Sequence, residues 1–180
     1  MTSIERAPTG TANSDPFADV LQANQKFAER YRGPRLEGRA ARGLAVLTCM
    51  DSRIDPLSIL GLRMGDAKLL RNPGARVSDD VLRTLLLATR LLDVERVMII
   101  AHTDCRMTKT TDDQIHATMT QTHGLDTRNL DFGTISDQRA VLTRDVQRIR
   151  SSPYLPSQLA VIGCVYDLET GLLQIECPLP

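Results

Sequence analysis

Short, unbroken apolar runs, separated by stretches of helical spacing, constrain this chain more than any other feature. The runs lie at 43–48, 96–101 and 159–166, and a further strand is predicted at 67–71. All fall far short of the roughly 20 residues needed to cross a bilayer. Their continuous apolar character suits strands buried on both sides, as in parallel sheets. Between them, Val81, Leu82, Leu85, Leu86 and Leu92 recur at helical spacing, as do Val141, Leu142, Val146 and Ile149. Ser78 is placed to cap the first of these helices, with Asp79 and Asp80 at its positive end. The alternation predicts an α/β fold: a mostly parallel central sheet with helices on both faces. A turn at 167–171 and a short apolar run at 172–176 predict a closing hairpin that adds one antiparallel edge strand.

A length of 180 residues suits a single domain. Residues 1–13 are polar and small, and are predicted to form a disordered tail ahead of one domain at 14–180. That domain opens on a helix within 14–33, with Ser14 as cap and Gly33-Pro34 as stop. Its apolar stripe is Phe17, Val20, Leu21, Asn24, Phe27, Ala28 and Tyr31. Further helices are predicted at 56–60, 110–123 and 136–150. Lys plus Arg number 22 and Asp plus Glu 22, so the chain lacks the basic excess of a nucleic-acid or membrane-surface binder. The first dozen residues lack an apolar leader, which predicts a cytoplasmic protein with reduced thiols. Four cysteines there point to metal or structure before disulfides.

Two runs carry the chemistry. Cys49-Met50-Asp51-Ser52-Arg53 follows the first strand, and His102-Thr103-Asp104-Cys105 follows the third. Two thiolates and one imidazole are three zinc ligands, and an open fourth position marks a catalytic rather than a structural ion. In parallel sheets, ligands bind beyond the carboxyl ends of the strands, where strand order reverses. If the first and third strands are neighbours, Cys49, His102 and Cys105 converge there although 53 residues (102 − 49) separate the two runs. Asp51 shares a face with Cys49 on an extended segment. It is expected to accept a hydrogen bond from a zinc-bound hydroxide, with Arg53 holding it ionised through a two-pronged pair. If that pair opened, Asp51 could reach the zinc itself. Cys164 and Cys177 read as structural, and His116 and His123 as surface residues of a helix.

Cys-x-Asp-x-Arg followed after about fifty residues by His-x-x-Cys resembles the β-class carbonic anhydrases, most of all their small bacterial members. The similarity extends through 65–81, including Arg71-Asn72-Pro73-Gly74. The resemblance implies one zinc ion per subunit on Cys49, His102 and Cys105, with Asp51 and Arg53 as the catalytic dyad. It implies that Asn72 and Gly74 line the substrate pocket. The implied activity is a lyase's, the reversible hydration of CO2 to bicarbonate. The implied assembly is a homodimer or dimer of dimers, with the helix at 14–33 packed on the partner subunit. Relatives on this scaffold hydrolyse CS2 or COS, which is one alternative; a non-catalytic, zinc-stabilised binding protein is the other. One departure stands out: relatives carry glycine directly after the second ligand cysteine, where this chain has Arg106. That side chain can point outward, pair with Asp104 or bring a cation towards the cleft.

Overall fold

The computed structural model describes residues 15–33 and 36–180. The predicted tail at 1–13, the Ser14 cap and Pro34 lie outside the described residues. The chain divides into an N-terminal unit ending at Leu36 and a larger unit, Glu37–Pro180.

The N-terminal unit carries helix α1, Ala18–Arg30. Phe17 occupies the cap position without a side-chain bond to the helix, while the Asp15 carboxylate accepts the Phe17 N–H at 2.9 Å. No residue of α1 is buried, and Phe17, Val20, Leu21 and Phe27 are all more than half exposed.

The larger unit is built on five strands: β1 (Leu44–Cys49), β2 (Ala67–Asn72), β3 (Arg96–His102), β4 (Ala160–Tyr166) and β5 (Leu173–Cys177). Their order is β2-β1-β3-β4-β5. The first four run parallel and β5 is antiparallel to β4, as the hairpin signal predicts. After β2 forms on one side of β1, the chain crosses to place β3 on the other, so strand order reverses between β1 and β3. This is where a parallel sheet opens a crevice at its carboxyl end.

Helices α2 (Pro56–Ile59), α3 (Asp79–Leu91), α4 (Asp112–His123) and α5 (Gln138–Arg150) connect the strands. Ser78 caps α3 by accepting the Val81 N–H, and Asp137 caps α5 by accepting from Ala140. Thr111 and Gln114 close a capping box on α4. One sheet face presents Ala45, Leu47, Val97, Ile99 and Val161 to Val81, Leu85 and Ala88 of α3 and Leu142, Val146 and Ile149 of α5. Gly163 lets α5 sit close, since a Cβ there would meet Leu142 and Val146 at 3.0 Å. The opposite face, with Leu44, Val46 and Ile100, is covered more thinly, by Leu60 and Leu62 beyond α2. Helices thus surround the sheet, with α3 and α5 on one face and the segment that follows α2 on the other. Among the described residues, no helix is long and apolar enough to cross a membrane.

Candidate metal centre

β1 delivers Cys49 and β3 delivers His102 because the two strands are hydrogen-bonded neighbours, in register from Leu44↔Arg96 to Thr48↔Ile100. Cys105 follows in the loop after β3. The three side chains are buried, and their Sγ, ring-nitrogen and Sγ atoms all lie within 4.8 Å of one another. Neighbours hold His102 and the loop that follows it. Thr103 Oγ1 accepts the Leu168 N–H at 3.0 Å, and the Thr103 N–H donates to Tyr166 O at 2.9 Å, pinning the loop after His102 to the end of β4. Gln138 at the start of α5 donates through Nε2 to His102 O at 3.0 Å.

The His102 tautomer follows from its bonds. Nδ1 lies 2.8 Å from Thr103 O, an acceptor only, so Nδ1 carries the hydrogen and donates it. Nε2 is left with a lone pair, and it is fully buried with no hydrogen-bond partner. Buried nitrogen acceptors are costly to leave unsatisfied. Here the orphaned lone pair faces two thiols, the arrangement of a soft-metal site in which the second ring nitrogen is fixed by a backbone carbonyl. The donor set therefore fits a zinc ion.

The two thiols are electrically unequal. The Cys105 thiol as donor pulls the Cys49 thiol well below its ordinary value, helped by the neighbouring His102 ring and by the Gly74 N–H at 3.4 Å from Cys49 Sγ. Cys105 is pushed up by that neighbouring thiolate and by burial. Gly74 lies in a 3-10 turn, Pro73–Ala75, at φ +73°, where an added Cβ would stand 2.9 Å from Ile135 Cδ1. Only glycine fits there without strain.

Asp51 and Arg53 are joined side by side. The backbone N and Nε of Arg53 donate to Asp51 Oδ1 at 3.0 and 2.9 Å, and Nη2 donates to Oδ2 at 2.7 Å. These bonds from Arg53 hold the Asp51 carboxyl well below its usual range. Oδ2 is 4.0 Å from His102 Nε2, so the ionised carboxylate stands directly beside the ligand atoms. Ile54 and Ile59 pack with Met107, Tyr166 and Leu168 around Cys49 and Cys105, giving the centre an apolar collar.

Asn72 is placed beside the centre, with both ends of its amide engaged within its own loop. It donates to Arg76 O at 2.7 Å and accepts from Arg76 N at 2.8 Å. Arg106 is exposed, and its guanidinium has no hydrogen-bond or ion-pair partner among the described residues. Asp104 pairs instead with Arg53 and Lys109. His123 is exposed, whereas His116 is half-buried, bonded through Nδ1 to Thr127 Oγ1 and tilted against the Phe132 ring.

Several supports have no signal in sequence spacing. Arg71 donates to the carbonyls of Cys49 and Asp51, at 3.0 and 2.6 Å, and so clamps the segment that carries both. Asp145 on α5, nearly fully buried, accepts from Arg76 Nε at 2.9 Å and Val77 N at 3.2 Å and anchors the loop that bears Gly74. Only the Arg71-Asn72-x-Gly74 run hinted that this loop mattered.

Residues 44–173 match the family model described as carbonic anhydrase. β-Carbonic anhydrase 1 of Mycobacterium bovis is 31% identical over 160 residues, spanning 89% of this chain and 97% of its own length. A carbon disulfide hydrolase of Acidithiobacillus thiooxidans is 31% identical over 152 residues, spanning 74% of this chain and 76% of its own. Among solved structures, a carbonic anhydrase from Streptococcus mutans superposes with a TM-score of 0.85 at 29% identity, covering 91% of this chain and 99% of that one.

Proposed function

The chain belongs to the β-carbonic anhydrase family of lyases, and on that premise we propose that it catalyses the reversible hydration of CO2 to bicarbonate, with one zinc ion per subunit. The observation that carries this reading is the orphaned His102 Nε2, facing two cysteines with an ionised carboxylate 4.0 Å away. Cys49, His102 and Cys105 hold the ion, and two thiolates with a neutral imidazole leave the centre near zero net charge. Bound zinc supplies Lewis acidity that lowers the pKa of water, so that a nucleophile is available near neutral pH.

The protein's own residues do the rest. Asp51 Oδ2 is an acceptor without a proton, so it orients a group that brings a hydrogen and disfavours one that does not. Arg53 keeps Asp51 in that state and in that place. The collar of Ile54, Met107, Tyr166 and Leu168 suits an uncharged, weakly hydrated substrate more than its anionic product. Gly74 acts at the pocket through its N–H and its lack of a side chain, while Asn72 serves the loop that presents Gly74.

The exposed apolar stripe of α1 supports a homodimer or dimer of dimers in which that helix packs on the partner subunit. Four free cysteines accord with a cytoplasmic location. Hydrolysis of CS2 is the second reading, favoured by the Acidithiobacillus thiooxidans relative. CO2 hydration is preferred because the Mycobacterium bovis enzyme aligns over 97% of its length, against 76% for that hydrolase. Rates of CO2 hydration and of sulfide release from CS2 and COS, measured on one zinc-loaded preparation, separate the two. Sulfide release exceeding CO2 hydration would overturn the first reading.

A further inference from the structure

A row of alternating charges runs outward from the ligand atoms: Asp51, Arg53, Asp104, Lys109. Arg53 uses its guanidinium on two sides. Nε and Nη2 hold Asp51, while Nη1 donates to Asp104 Oδ2 at 2.8 Å and Nη2 also donates to Asp104 O at 3.2 Å. The other carboxylate oxygen of Asp104 accepts from Lys109 Nζ. Asp104 has φ +57°, a left-handed conformation that few residues besides glycine, asparagine and aspartate adopt readily. That backbone turn aims both its carboxylate and its carbonyl at Arg53.

We propose that Asp104, backed by Lys109, is a positioning residue that fixes the Arg53 guanidinium and thereby keeps Asp51 turned to Arg53 rather than onto the metal ligands. The proposal rests on the reading of Asp51 as the acceptor beside a bound zinc ion. Arg53 is half exposed, and a single ion pair at such a surface is weak and costs side-chain freedom. Held by one carboxylate, the guanidinium can pivot into solvent. Held by two, it has one orientation. Lys109 balances the charge, so that two cations serve two carboxylates and Arg53 is not drawn from Asp51 to Asp104. With the outer anchor gone, Asp51 loses its cation for part of the time, and the positive charges left beside it are Arg71, already bonded to the Asp51 carbonyl, and a zinc ion held at His102 Nε2, the atom 4.0 Å from Asp51 Oδ2.

The test uses full-length, zinc-loaded protein and two variants. Asp104→Asn keeps a residue that tolerates the left-handed backbone and removes only the charge. Lys109→Met leaves Asp104 in place. The readout is exchange of the Arg53 Nε–H with water by 15N NMR, its resonance identified by its loss in Arg53→Lys. Asp104→Asn is expected to speed that exchange by about tenfold, and Lys109→Met to speed it less. Zinc content should stay the same while CO2 hydration by Asp104→Asn falls about fivefold. Arg53 exchange unchanged in Asp104→Asn would overturn the proposal, as would unchanged exchange in Lys109→Met if the asparagine variant does not fold. Absence of CO2 hydration in the parent protein counts against the proposed reaction instead, because the NMR comparison does not depend on turnover.

Discussion

Asp51 and Arg53 lie two residues apart and share three hydrogen bonds, two on Oδ1 and one on Oδ2, with Oδ2 4.0 Å from the unpaired Nε2 of His102. The carboxylate is therefore oriented before any ligand arrives. Asp51→Asn keeps the shape but puts an amide where an acceptor is needed. Zinc content is expected to match the parent, and kcat/KM for CO2 to fall at least about a hundredfold. Near-normal turnover would remove Asp51 from the mechanism.

Asp145 ties α5 to the loop that bears Gly74, through Arg76 Nε and Val77 N. It is only 4% exposed, so removing its charge strands a largely buried guanidinium and an amide. Asp145→Ala is expected to lower stability to urea by about 2–3 kcal/mol. It should also loosen zinc, since the Gly74 N–H no longer holds Cys49. Competition with a metal chelator measures the second effect.

Asp112 offers a pH signature away from the metal centre. Its carboxylate accepts from Thr134 Oγ1, Phe132 N and Thr134 N. These bonds, the Thr134 hydroxyl foremost, hold it below its ordinary value, and the His116 imidazole acts in the same direction. A depressed native pKa adds stability that is complete above the unfolded value near 3.9 and lost as pH falls through the native one. Amide exchange at Phe132 and Thr134, corrected for intrinsic rates, should therefore show protection that declines below about pH 4. In Asp112→Asn that protection should be weaker and its acid dependence absent.

The strand and helix pattern was legible because its causes are local. Continuous apolar runs mark β1, β3 and β4, and Ser78 with Asp79 and Asp80 marks the start of α3. The meeting of Cys49 with His102 required only that β1 and β3 be neighbours. What sequence spacing does not reveal is long-range and polar. Arg71 on the Cys49 and Asp51 carbonyls, Asp145 on Arg76, and Asp104 on Arg53 each join residues 20 or more positions apart through geometry that no periodicity encodes. Asn72 combines the two kinds of signal: its place in a family-like loop suggests a role at the pocket, and its amide also bonds Arg76 N and O within that loop.

Arg106 stands where the family resemblance leads one to expect glycine, yet its side chain is exposed and takes no part in the Asp51–Arg53–Asp104 row. Arg106→Gly is expected to leave kcat/KM for CO2 within about twofold of the parent, as for surface changes remote from packed groups. A large rise on substitution would mean that the guanidinium obstructs the cleft.

The dependence of CO2 hydration on one zinc ion held by Cys49, His102 and Cys105 is the proposal on which the function rests. Its most direct test is the CO2 hydration rate, measured by stopped flow, as metal-free protein is titrated with zinc. The rate is expected to rise in proportion to bound metal and to level off at one zinc per chain, with Cys49→Ser neither binding nor turning over. A fully zinc-loaded chain that hydrates no CO2, even at alkaline pH, would contradict it.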